Sequence, residues 1–403
     1  MALDFDVFDP LALTRLPSGV GSPTGRGRRS RARRRAGVAM LLGASLAGVA
    51  ACGSSSNTTP TKSKTTSTKS VTTSASAGRT QTITDAAGRT VTVPVPSRIH
   101  RIVVVGAPPD IEGFIVVAGD AGKVVNGVPK VFSSAHYGWK ILVPQLVNNP
   151  NVESNIEAPI NPEEVLALHP DVVITMDPTL GGQVQKLGIP TVVITEENPG
   201  EMQERDAMTL VGKVLGNEAQ ATAYVKYFDS TLSLISSRIK GIPASQRPSA
   251  LYLATRPLRR NGPAMEWYMN FLGVKDVAGT APPLTQFTTE QILQWNPDFI
   301  IAHDPTDVPY ITKNSVLKNL SAVRDGHVMA IPQDLNEWGD FDVSAPLALL
   351  WTAKFVYPKQ FANINMYSEA KSFYATFWHE NLTKAELDEI LYGIGGSKVN
   401  FGA

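Results

Sequence analysis

One cysteine, Cys52, is all that the 403-residue chain contains. With no second thiol it forms no internal disulfide, and core burial has to supply its stability. No Gly-x-Ser-x-Gly elbow, phosphate-cradling glycine loop or His-Glu-x-x-His helix appears, which removes the motif-based grounds for an enzyme. No second His or Cys stands at ligand spacing from His303, so neither a protein-built metal centre nor a resident cofactor is expected. The body also lacks an excess of positive charge. Beyond residue 51 it carries 29 basic and 33 acidic side chains, net −4, and gives no reason to expect a nucleic-acid partner. An apolar fraction of 43% in a chain of this length is enough for two ordinary domains.

The N-terminus has its own composition. Residues 1–51 hold eight arginines, three acids and no lysine. The basic run Arg26–Arg35 precedes a run of apolar and small residues, Ala36–Ala51, too short to span a membrane comfortably. This reads as a signal peptide. It ends in Val49-Ala50-Ala51-Cys52-Gly53, which resembles the lipobox of bacterial lipoproteins and implies acylation of Cys52 and a lipid-anchored, extracytoplasmic protein. The other reading of a lone Cys is an ordinary buried thiol. Residues 53–80, mostly Ser, Thr, Lys and Ala, cannot bury enough surface to offset chain entropy and are expected to form a disordered tether.

An internal repeat organises the rest. Residues 161–179 align without a gap on residues 288–306, with eight identities that include Glu163/Glu290, Leu166/Leu293, Pro170/Pro297, Asp171/Asp298 and Asp177/Asp304. Each copy reads as an N-cap (Asn161, Thr288) with a capping-box partner three residues on (Glu164, Gln291). A short helix follows, stopped by proline, and then a β run without polar alternation, Val172–Thr175 or Phe299–Ala302, typical of a parallel strand covered on both faces. Each ends in an Asp-Pro-Thr loop at the carboxyl end of its strand, where open α/β sheets bind ligands. Two copies predict two similar lobes, each presenting that loop, and the loops line one cleft if the lobes face each other; the other reading is a pair of generic helix-turn-strand units. Further strands are expected at 101–105, 191–195, 250–254 and 328–331. Helical spacing over 201–242 predicts one or two helices, the second capped by Asn217 and long enough to connect the lobes. Helices are also expected after Pro358.

The opening Asp85-Ala-Ala-Gly-Arg-Thr-Val-Thr-Val-Pro94, the segment Pro96-Ser97-Arg98-Ile99 and the paired Glu/Leu/Pro-Asp motifs resemble the iron-siderophore and cobalamin type of periplasmic binding protein over most of residues 80–357. The resemblance implies an α/β fold of class III: two lobes with central, mostly parallel sheets joined by a single long helix. The divisions expected on that basis are a signal peptide at 1–52, a tether at 53–80, an N-terminal lobe at 81–205, a helical spine at 206–242, a C-terminal lobe at 243–357 and C-terminal helices at 358–403. It also implies a monomeric, non-enzymatic component of an ABC importer, with a permease and an ATPase as partners. Glu163 and Glu290 would be the permease-docking residues; their other reading is a favourable place in the first helical turn, worth roughly 0.3–1 kcal/mol.

Ligand contacts should come from loops after strands. The first lobe offers Gly106–Asp110, His136, Tyr137, Trp139, Met176 and Asp177, and the second Arg256, Arg259, Arg260, His303, Asp304, Asn336 and Trp338. Arginines suit carboxylate, catecholate or oxoanion groups, and aromatics add flat apolar contact. The mixture fits an anionic ferric chelate better than a bare ion. Molybdate or tungstate, haem and cobalamin are alternatives on the same fold. Each residue also has a plainer reading: Tyr137 and Trp139 as packing aromatics, the arginines as a solvated loop, Asp177 and Asp304 as Asx turns. A lipid-anchored cell-wall hydrolase using His303, Asp304 and Asp177, or a scaffold lipoprotein, are the readings from other classes.

Overall fold

The structure, a computed structural model, describes residues 78–393 apart from 136–137, 154–158, 196–202, 261–262, 280 and 283–284. The expected signal peptide, the lipidated Cys52 and nearly all of the tether lie outside the described residues.

A hairpin of β1 (Thr80–Thr84) and β2 (Thr90–Pro94) opens the body, followed by β3 (Ile102–Val105), α1 (Pro108–Val117), α2 (Lys130–Ala135) and α3 (Gly138–Leu142). The first half continues through α4 (Pro162–Ala167), β4 (Val172–Thr175), α5 (Pro178–Gln185) and β5 (Thr191–Val193). Two helices, α6 (Gln203–Leu215) and α7 (Glu218–Ile239), lead to the second half. That half contains β6 (Ser249–Thr255), β7 (Leu258–Arg260), α8 (Pro263–Leu272), β8 (Lys275–Asp276), α9 (Thr289–Trp295), β9 (Phe299–Ala302), α10 (Asp307–Lys313), α11 (Ser321–Arg324) and β10 (Val328–Ala330). Helices α12 (Ala345–Val356), α13 (Met366–Phe373) and α14 (Lys384–Tyr392) complete the chain.

The first sheet is parallel, in the order β3-β4-β5. The second runs β10-β9-β6-β7, with β7 antiparallel to β6 and β8 parallel to it. The unalternating apolar strands have a direct cause: each buries both of its faces. Ile102 and Val104 enter one core while Val103 and Val105 enter another. Likewise Ala250 and Tyr252 face the central core, and Leu251 and Leu253 an outer one. The long helix α7 buries Ala221, Tyr224, Phe228, Thr231, Ile235 and Ile239, a stripe at three- and four-residue spacing. Its 22 residues reach about 33 Å. Asn217 sits at its cap position but makes no capping bond there; its amide instead donates to Asp120 Oδ2 at 2.9 Å. The C-terminal helices pack back on this stripe, with Tyr224 edge-on to Phe377 at 5.7 Å.

The repeat is matched in detail. Thr288 and Gln291 form the reciprocal capping box, whereas Asn161 caps by accepting from the Glu163 N–H at 3.1 Å. Both helices end before the proline, through a left-handed residue at the equivalent position, His169 (φ 45°) and Asn296 (φ 41°). The following aspartates do the same work in each copy. Asp171 Oδ2 accepts from the His100 and Arg101 N–H groups at 2.8 and 2.9 Å. Asp298 Oδ2 accepts from the N–H and hydroxyl of Ser249 at 2.8 and 2.7 Å. Each carboxylate thereby ties the entry of its strand to the start of the neighbouring strand, which accounts for the repeated Pro-Asp.

Candidate functional site

The site is built at the carboxyl ends of the two sheets. After β3 the chain turns through two left-handed residues, Gly106 (φ 68°) and Ala107 (φ 69°), into α1. A Cβ on Gly106 would lie 3.0 Å from Thr175 Oγ1, so glycine serves both the turn and the close approach. The Gly106 N–H donates to Glu153 Oε1 at 2.8 Å. Asp177, nominated as a ligand contact, caps α5 by accepting from the Thr179 and Leu180 N–H groups at 2.7 and 3.0 Å. Asp304 makes the matching turn, accepting from the Thr306 N–H at 2.7 Å. Met176 is half-buried against the core, and its carbonyl accepts from Thr195 Oγ1 at 3.1 Å.

In the second half, His303 leaves β9 and sits between two groups: its Nε2 is 2.8 Å from Glu337 Oε1 and its Nδ1 3.2 Å from the Tyr252 hydroxyl. Burial alone would lower its pKa, but the charge and hydrogen bond of Glu337, with Asp340 and Asp307 behind it, push it up to about 9. The ring is therefore an imidazolium at neutral pH. Arg259 on β7 is buried and faces Asp340. Arg256 is exposed, bonded to the Thr306 hydroxyl and 3.8 Å from Asp307 Oδ1. Arg260 is the last residue of β7.

The segment joining β10 to α12, Pro332–Ser344, is almost wholly buried although it forms no regular element. Asp334 organises it. Its Oδ2 accepts from Trp338 Nε1 at 3.1 Å, Ser344 Oγ at 2.6 Å and the Tyr374 hydroxyl at 2.8 Å, and its Oδ1 from the Leu335 N–H at 2.6 Å. Four donors replace the water lost on burial. This segment meets the first half directly. Asn336 Nδ2 donates to Asp110 Oδ1 at 2.8 Å, Trp139 Nε1 to the Leu335 carbonyl at 2.9 Å, and Phe114 packs on Phe341 at 5.4 Å. A Cβ on Gly138 would lie 2.3 Å from the Asp334 carbonyl oxygen, so only glycine allows α3 to approach this closely.

Several expectations thus change. Trp139 and Trp338, expected on the cleft wall, are fully buried with their indole N–H groups committed to the protein; they support the site and offer it no surface in this conformation. His136 and Tyr137 lie outside the described residues, as does the side chain of Arg260. Arg259, His303, Asn336 and Asp110 come together around the segment. Glu337 and Asp340, which sequence reasoning missed, complete the group. The one sequence signal for them was four acids alternating with Trp338, Gly339 and Phe341 just after a strand, over Asp334–Asp342. Glu163 and Glu290 occupy equivalent second positions of α4 and α9, and both are exposed. Among the described residues no group of three or more His, Cys, Asp or Glu is arranged to hold a metal ion, and no helix is long and apolar enough to cross a membrane.

The chain matches a family model described as periplasmic binding protein over residues 126–335, just over half its length. It is 27% identical over 333 residues to the molybdate-binding protein MolA of Haemophilus influenzae, spanning 75% of this chain and 92% of that one. The molybdate-bound structure of that protein aligns at 25% identity with a TM-score of 0.66, covering 75% and 99% of the two chains. A periplasmic solute binding protein from Veillonella parvula aligns with a TM-score of 0.68 at 28% identity, covering 77% of this chain and 97% of its own. The iron(3+)-hydroxamate-binding protein FhuD of Bacillus subtilis is 23% identical over 307 residues, 72% and 87% of the two chains. With two parallel-stranded halves whose carboxyl ends converge on one charged site, this chain belongs to the periplasmic binding protein family and is a solute-binding protein, not an enzyme.

Proposed function

We propose that this chain is the lipid-anchored binding component of an ABC importer and that its cargo is a small metal oxyanion of the molybdate and tungstate class. The observation that carries the reading is the pair of cations at the end of the second sheet, buried Arg259 and the half-buried imidazolium of His303. Cationic groups shielded from water supply charge-assisted hydrogen bonds to oxyanion oxygens, with the oxyanion taking the place of Glu337 or Tyr252 on His303. The short cross-contacts Asn336–Asp110 and Trp139–Leu335 hold the two halves close, which favours a small solute over a bulky chelate. The similarity to a molybdate-binding protein points the same way.

A ferric chelate is the second reading. Arg256, exposed beside Thr306 and Asp307, would meet a larger anion, and one relative is an iron(3+)-hydroxamate-binding protein. Cys52 would carry the anchor, and Glu163 and Glu290 would dock on the permease. Calorimetric titration of the mature chain with molybdate, tungstate, sulfate, ferric hydroxamate, haem and cobalamin tests the cargo. Saturable binding of molybdate or tungstate is expected; binding of ferric hydroxamate without either oxyanion would replace the first reading with the second.

A further inference from the structure

We infer that the contact between Asn336 and Asp110, with Glu337 and Asp340 beside it, is a proton-dependent clasp across the cleft, so that the protein takes up its anion together with a proton. The second part rests on the oxyanion reading above; the clasp itself rests on the contact geometry.

Asp110 is in the first turn of α1, and Asn336 lies 226 residues later in the segment after β10. Their 2.8 Å hydrogen bond joins the two halves. The Asp110 carboxyl is buried and faces Asp334, Glu337, Asp340 and Asp342, all from the opposing segment. Asp340 in turn faces Glu337, the His303 imidazolium and Arg259, and His303 also faces Asp307 of α10. A neutral Asp110 keeps a carbonyl oxygen that accepts from Asn336, so the clasp survives protonation. An ionised Asp110 confronts the opposing carboxylates across a poorly hydrated contact, and their repulsion drives the halves apart.

Burial first, then the charge of Asp340, with Glu337 and Asp334 behind it, pushes Asp110 well above the usual carboxylate range and outweighs the Asn336 hydrogen bond, which favours the ionised form. Burial and the charge of Glu337 push Asp340 up to about 7, against the pull of His303 and Arg259. A group whose pKa is raised in the closed form favours closure below its open-state value and loses that contribution as pH rises through the closed-state value. For Asp340 the window runs from about pH 4 to about pH 7. Within it each such carboxyl weakens closure by up to about tenfold per pH unit. A bound oxyanion adds to the effect in the same direction, since a neutral carboxyl donates an O–H to it where a carboxylate repels it.

Two measurements test this on the mature chain carrying Cys52→Ser. The first is the calorimetric affinity for molybdate from about pH 5.5 to 8.5, in that background and with Asp340→Asn or Asp110→Asn added. Without these changes affinity should fall roughly tenfold or more between about pH 5.5 and about pH 7. Asp340→Asn, which holds that position neutral, should bind at least about tenfold tighter than its parent at pH 8. The second is the distance between spin labels on the exposed positions Lys186→Cys and Lys313→Cys, measured without ligand. It should lengthen as pH rises through the same window, and Asp110→Asn with Asp340→Asn should abolish the change. A distance that ignores pH overturns the clasp, and pH-independent molybdate binding overturns the proton uptake. No molybdate binding at any pH refutes the oxyanion reading, and the distance measurement then decides the clasp by itself.

Discussion

Replacing Glu153 with glutamine removes a charge that the fold holds in an unfavourable place. Glu153 is 3% exposed; one oxygen accepts from the Gly106 N–H at 2.8 Å, and the other has no hydrogen-bond partner among the described residues. Beside it Glu112 is fully buried, with neither oxygen bonded among the described residues. Burial raises Glu153, the Gly106 N–H opposes this, and the Asp177 charge adds to the rise, leaving the carboxyl at about 8. In the unfolded chain it titrates at about 4.3. The stability tied to its protonation is therefore complete below about pH 4 and is lost as pH rises toward 8. One carboxyl contributes up to roughly 1.4 kcal/mol per pH unit across that window. Glutamine keeps the acceptor for Gly106 and carries no charge. Glu153→Gln should thus match wild type within about 1 kcal/mol near pH 4.5 and exceed it by up to roughly 5 kcal/mol at pH 8. Urea unfolding at a series of pH values reads this directly. Wild-type stability should decline from pH 5 to 8, with Glu204, pushed up to about 7 by burial, adding to the decline. An unchanged slope in the variant, or a wild type that gains stability with pH, would show that Glu153 is not held protonated by its burial.

Other outcomes follow from single contacts. Gly138→Ala should cost about 1–3 kcal/mol or more, because the new Cβ meets the Asp334 backbone 2.3 Å away; an unchanged melting temperature would mean that α3 and the segment do not meet this closely. Tyr374→Phe removes one of the four donors to Asp334 and should cost roughly 1–3 kcal/mol, with no loss expected if that carboxylate is hydrated instead. Glu163→Ala combined with Glu290→Ala should lower uptake by whole cells several-fold while leaving ligand affinity within about twofold, as for charges at an interface rim; a matching fall in affinity would assign these residues to the fold or the cleft.

The amino-acid order carried much of the architecture because its signals are local. A β run buried on both faces has to be apolar throughout, and a cap needs a short polar side chain before the helix; both follow from neighbours in the chain. Thus Val172–Thr175 and Phe299–Ala302 are strands at the expected positions. Thr288 also caps α9 as expected. Asp171 and Asp298 could be recognised as repeated, but their role in bonding to the start of the adjacent strand depends on sheet order. Local signals also misled: Asn217 has cap chemistry and occupies the cap position, yet its amide is drawn off by Asp120, 97 residues away.

The doubled α/β plan, the covered parallel strands and the sheet ends from which a site would be built are all legible in the order of the residues. Which side chains meet there was set by the packing of the folded chain. It buried Trp139 and Trp338 as supports, joined Asn336 to Asp110, charged His303 through Glu337, and brought Asp340 between Arg259 and the first half. The physical reason is range. Periodicity and capping act over a few residues, whereas burial and the field at a carboxyl are set by whatever the fold packs against it, and in Asp110 and Asn336 those partners stand 226 residues apart.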